Sequence, residues 1–172
     1  RIINHLETLL DGCFLLGELS PRTADTILSF GELLSSFIIA EALKQNLKST
    51  NYKDSRELIK TNATFGKASV NFEVSNRLIQ DYFATNTSKV VLLPGFIGAT
   101  EDGITTTLGR GGSDYSAAIL ASALATEELE IWTDVNGMYT ANPKLVKQAQ
   151  PIATISYQEA MELSHFGAKV LY

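Results

Sequence analysis

The chain has 172 residues, 45% of them apolar and 19% charged, a balance that suits one folded domain and excludes a disordered or fibrous polymer. A formal net charge of -5 with scattered Lys and Arg offers no basic patch for nucleic acid, and apolar runs such as Val90 to Leu93 fall far short of a membrane span. The single cysteine, Cys13, sits among Phe14, Leu15 and Leu16 and reads as a buried small hydrophobe; with no charged-then-apolar leader, the expected compartment is the cytoplasm.

From Arg1 to Leu16, apolar residues Ile2, Ile3, Leu6, Leu9, Leu10 and Phe14 recur every three or four positions, the stripe of an amphipathic helix. Ser20-Pro21 predicts a second helix start, Ser20 as N-cap and Pro21 where a missing N–H costs nothing, and this helix should run to about Lys48. Gly31 in its middle weakens it and predicts close approach by another group. Beyond Thr50 the pattern turns to strands and connections, with Glu57 to Lys60 a weak strand candidate and Val74 to Phe83 a third helix.

Lys89 to Leu93, ended by Pro94-Gly95, predicts a central parallel strand covered on both faces. Asp102-Gly103 predicts the turn of a β-hairpin over residues 96 to 108. A helix opening at Ser113-Asp114 and running to Ala125 is expected next, then a second short buried strand over Glu128 to Thr133. Ser156 and Glu159 form a capping box for a last helix, stopped at Gly167. Alternating helices and buried strands predict an α/β protein with a largely parallel sheet and helices on both sides.

Two stretches carry candidate chemistry. Gly109-Arg110-Gly111-Gly112-Ser113-Asp114 lies between a strand and a helix start, where bare backbone can approach an anion and unpaired helix N–H groups face it. By itself this reads as readily as a plain turn, but Arg110 places a bidentate donor for carboxylate or phosphate inside it. Thr133-Asp134-Val135-Asn136-Gly137-Met138-Tyr139 would follow a strand, at the carboxyl edge where α/β sheets bind ligands, though Asp134 to Gly137 is also readable as a mere turn.

Together with Ser29-Phe30-Gly31-Glu32, Pro94-Gly95-Phe96-Ile97-Gly98, Thr105-Thr106-Thr107-Leu108 before the glycine stretch, Tyr115 after it, Trp132, and Phe166-Gly167-Ala168-Lys169-Val170-Leu171, these motifs resemble aspartate kinase, of the amino-acid kinase superfamily. The resemblance implies a three-layer α-β-α sandwich of the carbamate kinase-like type, truncated at both ends, with residues 1–172 a partial catalytic domain lacking its N-terminal strand and C-terminal end. Arg1 in place of an initiator Met, and an ending straight after an apolar run, fit that expectation.

The implied reaction is phosphorylation of the side-chain carboxylate of L-aspartate by ATP with Mg2+, giving 4-phospho-L-aspartate for lysine, threonine and methionine synthesis. Partners would be L-aspartate and ATP, with no nucleic acid and no membrane, and the longer protein would be a homo-oligomer through regulatory domains, with fusion to a homoserine dehydrogenase left open. By the same resemblance, Arg110, Asp114 and Lys169 would be catalytic; Glu32, Phe96, Arg110 and Ser113 would bind aspartate, Arg110 clamping a carboxylate and Glu32 pairing with the ammonium group. Thr133, Asp134, Tyr139, Lys144 and Lys169 would hold the nucleotide. Each has a plainer reading: Glu32 a solvated helix residue, Asp114 only a cap, Lys169 a surface lysine. His165 reads as a surface residue, and with His5 remote in sequence no metal-site spacing exists.

Three departures from the family stand out. Lys144 replaces a common arginine and loses its fork, Asn142 replaces a common aspartate, and the family's Lys-Phe-Gly-Gly-Thr strand, whose lysine neutralises the moving phosphate, does not occur. The chain as it stands is therefore expected to be nearly inactive, or else to be a non-catalytic nucleotide-binding module that keeps the fold.

Overall fold

The computed structural model describes residues 2–133 and 137–165, and the chain divides into two units, residues 1–129 and 130–172. In the first unit, helix α1 (Ile2–Leu16) packs on α2 (Pro21–Asn46). Helix α2 starts where Ser20 accepts a hydrogen bond from the Thr23 N–H, with Pro21 leading the first turn. The stripe on α1 is only half covered: Leu6, Leu9 and Cys13 are half-buried and Phe14 is 86% exposed, so Cys13 is not the buried hydrophobe expected.

Helix α2 carries a row of small or acidic residues, Asp25, Ser29, Glu32 and Ser36, spaced by three or four positions and so on one face. Asp25, Ser29 and Ser36 are buried. Their small side chains let α2 lie close on strand β4 (Thr105–Thr107). By length and composition α2 could cross a membrane, which corrects the expectation of short apolar runs; it also buries the Asp25 carboxylate and packs on a strand.

Strands β1 (Thr50–Tyr52) and β2 (Val90–Leu92) pair in parallel, Asn51 opposite Val91, and both are half-buried where the sequence predicted a fully covered central strand. Strand β3 (Ile97–Ala99) pairs antiparallel with β4 around a turn at Gly103, giving the expected hairpin with Gly98 opposite Thr106. The weak strand candidate at 57–60 follows a single 3₁₀ turn, Ser55–Glu57, and forms no named strand, but Lys60 at its end meets β3 in a parallel bridge to Ala99. Helices α3 (Phe72–Thr85) and α4 (Gly112–Leu124) close a core of Leu58, Ile79, Leu108, Ile119 and Ala123. Thr107 hydrogen-bonds to Asp25 of α2 while Leu108, the next residue, enters the α3–α4 core. Because neighbouring residues of an extended chain point to opposite faces, helices cover this β layer on both sides, the expected α/β arrangement.

Two predicted boundaries need correction. Helix α4 is capped by Gly111, not by Ser113, and the Ser113-Asp114 pair lies inside its first turn. The stretch 128–133 is not a strand: Glu128 to Glu130 are exposed and Trp132 is 88% exposed. A strand exists only through a ladder, and among the described residues none pairs with this stretch.

In the second unit, Tyr139 and Pro151 form an antiparallel bridge around the segment 140–150, and helix α5 (Tyr157–His165) follows. Its capping box is complete: Ser156 Oγ accepts from the Glu159 N–H at 3.2 Å, and Glu159 Oε2 accepts from the Ser156 N–H at 2.9 Å and its hydroxyl at 2.7 Å. The predicted stop at Gly167 lies outside the described residues.

Candidate active site

The glycine stretch turns sharply because Gly109 and Gly111 take φ of 79° and 71°, a left-handed conformation that residues with a Cβ adopt only under strain. Gly111 brings no side chain to cap α4, so the first turn of the helix has no carboxylate or hydroxyl cap. Gly112 is tight for a different reason: a Cβ there would stand 2.8 Å from Phe96 Cδ2. The Phe96 ring thus lies directly over the start of α4.

Phe96 itself has φ of 68°, a strained setting for an aromatic residue. Its backbone explains how it is held. The Phe96 N–H donates to Ser116 Oγ at 3.0 Å and its carbonyl accepts from the Leu108 N–H at 2.8 Å. Strain of this kind persists only where surroundings over-determine it, and it gathers at ligand sites.

These pieces surround a cavity of about 320 Å³ lined by Glu32, Phe96, Gly109, Arg110, Gly111, Gly112, Ser113 and Asp114. Residues from α2, from the β2–β3 connection and from the glycine turn, far apart in the chain, meet around one space. Glu32 reaches it from the polar row on α2; burial pushes its carboxyl above the ordinary glutamate range. Arg110 is exposed at the turn and Asp114 is half-buried in the first turn of α4, where a negative charge favours the helix N-terminus. One cation, one desolvated carboxylate and a helix N-terminus together fit a ligand that carries both a carboxylate and an ammonium group.

The same residues lie within a longer stretch of family likeness: the sequence model of the amino acid kinase family matches residues 3–172. The chain belongs to the amino acid kinase family. Within the family it is 39% identical over 177 residues to lysine-sensitive aspartokinase 3 of Escherichia coli strain K12, covering 99% of this chain and 39% of that protein. It is 35% identical over 171 residues to the chloroplastic bifunctional aspartokinase/homoserine dehydrogenase 1 of Arabidopsis thaliana, covering 99% of this chain and 19% of that protein. Its fold matches the crystal structure of E. coli aspartokinase III in complex with aspartate and ADP with a TM-score of 0.90 at 39% identity, over 100% of this chain and 38% of the other. The chain therefore spans well under half the length of these relatives.

Among the other expected site residues of this amino acid kinase chain, Thr133, Tyr139 and Lys144 belong to the second unit, while Asp134 and Lys169 lie outside the described residues. Tyr139 is half-buried at its bridge to Pro151, and Lys144 is exposed. Asn142 holds a local turn that an aspartate could also make, since its Oδ1 accepts the Lys144 N–H at 2.9 Å and its carbonyl accepts the Leu145 and Val146 N–H groups. A larger cavity of about 730 Å³ lies against α5, its charged lining among the described residues being Glu159 and Glu162.

Gly31 is exposed, and among the described residues a Cβ there would meet nothing within 4 Å, so no packed neighbour in the chain accounts for this glycine. Sequence reading also missed Asp25, a carboxylate buried to 1% exposure; its only signal was an acidic residue seven positions before Glu32 on the same face.

Proposed function

We propose that this chain carries the amino-acid site of an aspartate kinase, which transfers the γ-phosphoryl group of ATP to the side-chain carboxylate of L-aspartate. The observation that supports it most is the meeting of Glu32 and Arg110 around one cavity. Arg110 clamps a carboxylate of aspartate with two parallel N–H donors, and Glu32 pairs with the ammonium group. Phe96 and Ser113 complete the lining. An aspartate carboxylate, with a pKa near about 4, is already ionised at neutral pH, so its oxygen attacks the γ-phosphorus without a general base. The bond from that phosphorus to the bridging oxygen breaks, ADP leaves, and 4-phospho-L-aspartate forms.

Catalysis here consists of holding two anions together. Arg110 and the uncapped start of α4 supply positive charge on the aspartate side, Lys169 does so at the phosphates, and Thr133, Asp134, Tyr139 and Lys144 receive the nucleotide. Asp114 acts beside the substrate from the first turn of α4, where it makes no cap hydrogen bond. The described residues contain no group of three or more His, Cys, Asp or Glu side chains able to hold a metal ion, and Mg2+ enters as part of the ATP substrate. The reading extends to cytoplasmic action in synthesis of the aspartate-derived amino acids. It also extends to homo-oligomers formed through further domains, for which the length of the relatives leaves room.

Calorimetric titration with L-aspartate and with Mg·ATP separates this reading from a fold-keeping module without catalysis: a kinase core binds both, such a module at most one. Aspartate-dependent ADP release should be almost undetectable for these residues alone and rise by about 10³-fold when the family's Lys-Phe-Gly-Gly-Thr strand is attached upstream. Equal rates with and without it would contradict the assignment of the missing cation.

A further inference from the structure

Asp25 is a buried carboxylate on α2 that no part of the proposed chemistry uses. It is 1% exposed, and both its oxygens are engaged by groups far away in sequence. Oδ1 accepts the Thr107 hydroxyl at 2.8 Å, Oδ2 accepts the Thr107 N–H at 2.8 Å, and the Gly66 N–H is shared between them at 3.0 Å each. Thr107 ends β4 three residues before Arg110, and the Leu108 N–H beside it holds the Phe96 carbonyl. Gly66 belongs to a loop whose backbone and Lys67 side chain press against Gly109: a Cβ on Gly109 would meet Gly66 O and Lys67 Cγ at 3.2 Å each. The Ala68 N–H closes the same loop onto the Thr107 carbonyl at 2.9 Å.

On the other side, Asp25 and Glu32 share one helix face, seven residues or about 10 Å apart. We infer that Asp25 is the positioning residue of the amino-acid site: it pins the glycine turn that bears Arg110, and the loop beneath that turn, to the helix that bears Glu32. The two ligand-binding charges then keep one spacing, matched to a carboxylate and an ammonium group on the same small molecule. A neutral residue could fill the volume, but only a carboxylate accepts all three donors; an Asn would turn its NH₂ toward an N–H or O–H and leave a buried donor unpaired.

This inference rests on the aspartate reading of the cavity, and the test keeps the two apart. Aspartate affinity and 15N–1H amide spectra are recorded for the wild type, Asp25→Asn, Thr107→Val and a distant core control, Ile119→Val. Asp25→Asn should bind aspartate at least about tenfold more weakly, and Thr107→Val several-fold, because hydrogen bonds to a charged group are lost. Amides of Glu32 and of residues 109–113 should shift in both variants, and in Ile119→Val the affinity should hold. Wild-type affinity in a folded Asp25→Asn, or amide shifts confined to Gly66 and Thr107, would overturn the inference. If Asp25→Asn does not fold, Thr107→Val decides on the same two readouts. If the wild type binds no aspartate, the functional reading fails, and the shifts at 109–113 still decide whether Asp25 pins the turn.

Discussion

Glu32 and Gly112 show at the residue scale how the site sets its own physical requirements. Burial raises the Glu32 pKa, so the fold favours the protonated carboxyl, and the stability this group contributes is present at acid pH and lost as pH rises through its raised value. Glu32→Gln should therefore unfold at higher denaturant than the wild type at neutral pH, lose that advantage below the ordinary glutamate pKa, and bind aspartate more weakly. Urea titrations at pH 4 and pH 7 check the sign. Gly112→Ala places a methyl 2.8 Å from the Phe96 ring; either the ring leaves the cavity or α4 shifts, at a cost of about 1–3 kcal/mol. Calorimetry should show lost aspartate affinity while circular dichroism keeps its helical signal.

At the scale of elements, the clearest parts of the sequence are those decided by local chemistry. Ser20-Pro21, the Ser156–Glu159 box and Asp102-Gly103 each act within a few residues, and each forms as expected. What fails depends on partners remote in the chain: 128–133 looks like a strand by its apolar residues but lacks a ladder among the described residues, and strand β1 leaves no signal because three residues carry no period. Gly31 has no packed neighbour among the described residues, and a helix glycine looks the same in sequence whether it faces a neighbour or open space. Because its Cβ would enter open space, Gly31→Ala should stabilise the protein by up to about 1 kcal/mol in urea unfolding. The Ser156 hydrogen bonds lower the Glu159 pKa, so the stability of the box is present above the ordinary glutamate pKa and lost as pH falls through the lowered value. Amide exchange across residues 157–160 should accelerate over that acid interval, and Glu159→Gln should flatten the pH dependence.

For the molecule as a whole, α2 is the member that turns a fold into a site. It packs on α1, on β1 and on β4, and along one face it presents Asp25 to the strand and Glu32 to the cavity. The site was legible from motif residues because the family's glycine turn and Ser-Phe-Gly-Glu segment are distinctive. Asp25 was not, since its role is a contact spanning 82 positions. The proposed substrate recognition rests on Glu32 reading an ammonium group beside the carboxylate held by Arg110. The direct test titrates wild type and Glu32→Gln with L-aspartate and with succinate, which keeps both carboxylates and lacks the ammonium group. Wild type should prefer aspartate by at least about tenfold, and Glu32→Gln should bind the two alike. An undiminished preference for aspartate in Glu32→Gln would contradict it.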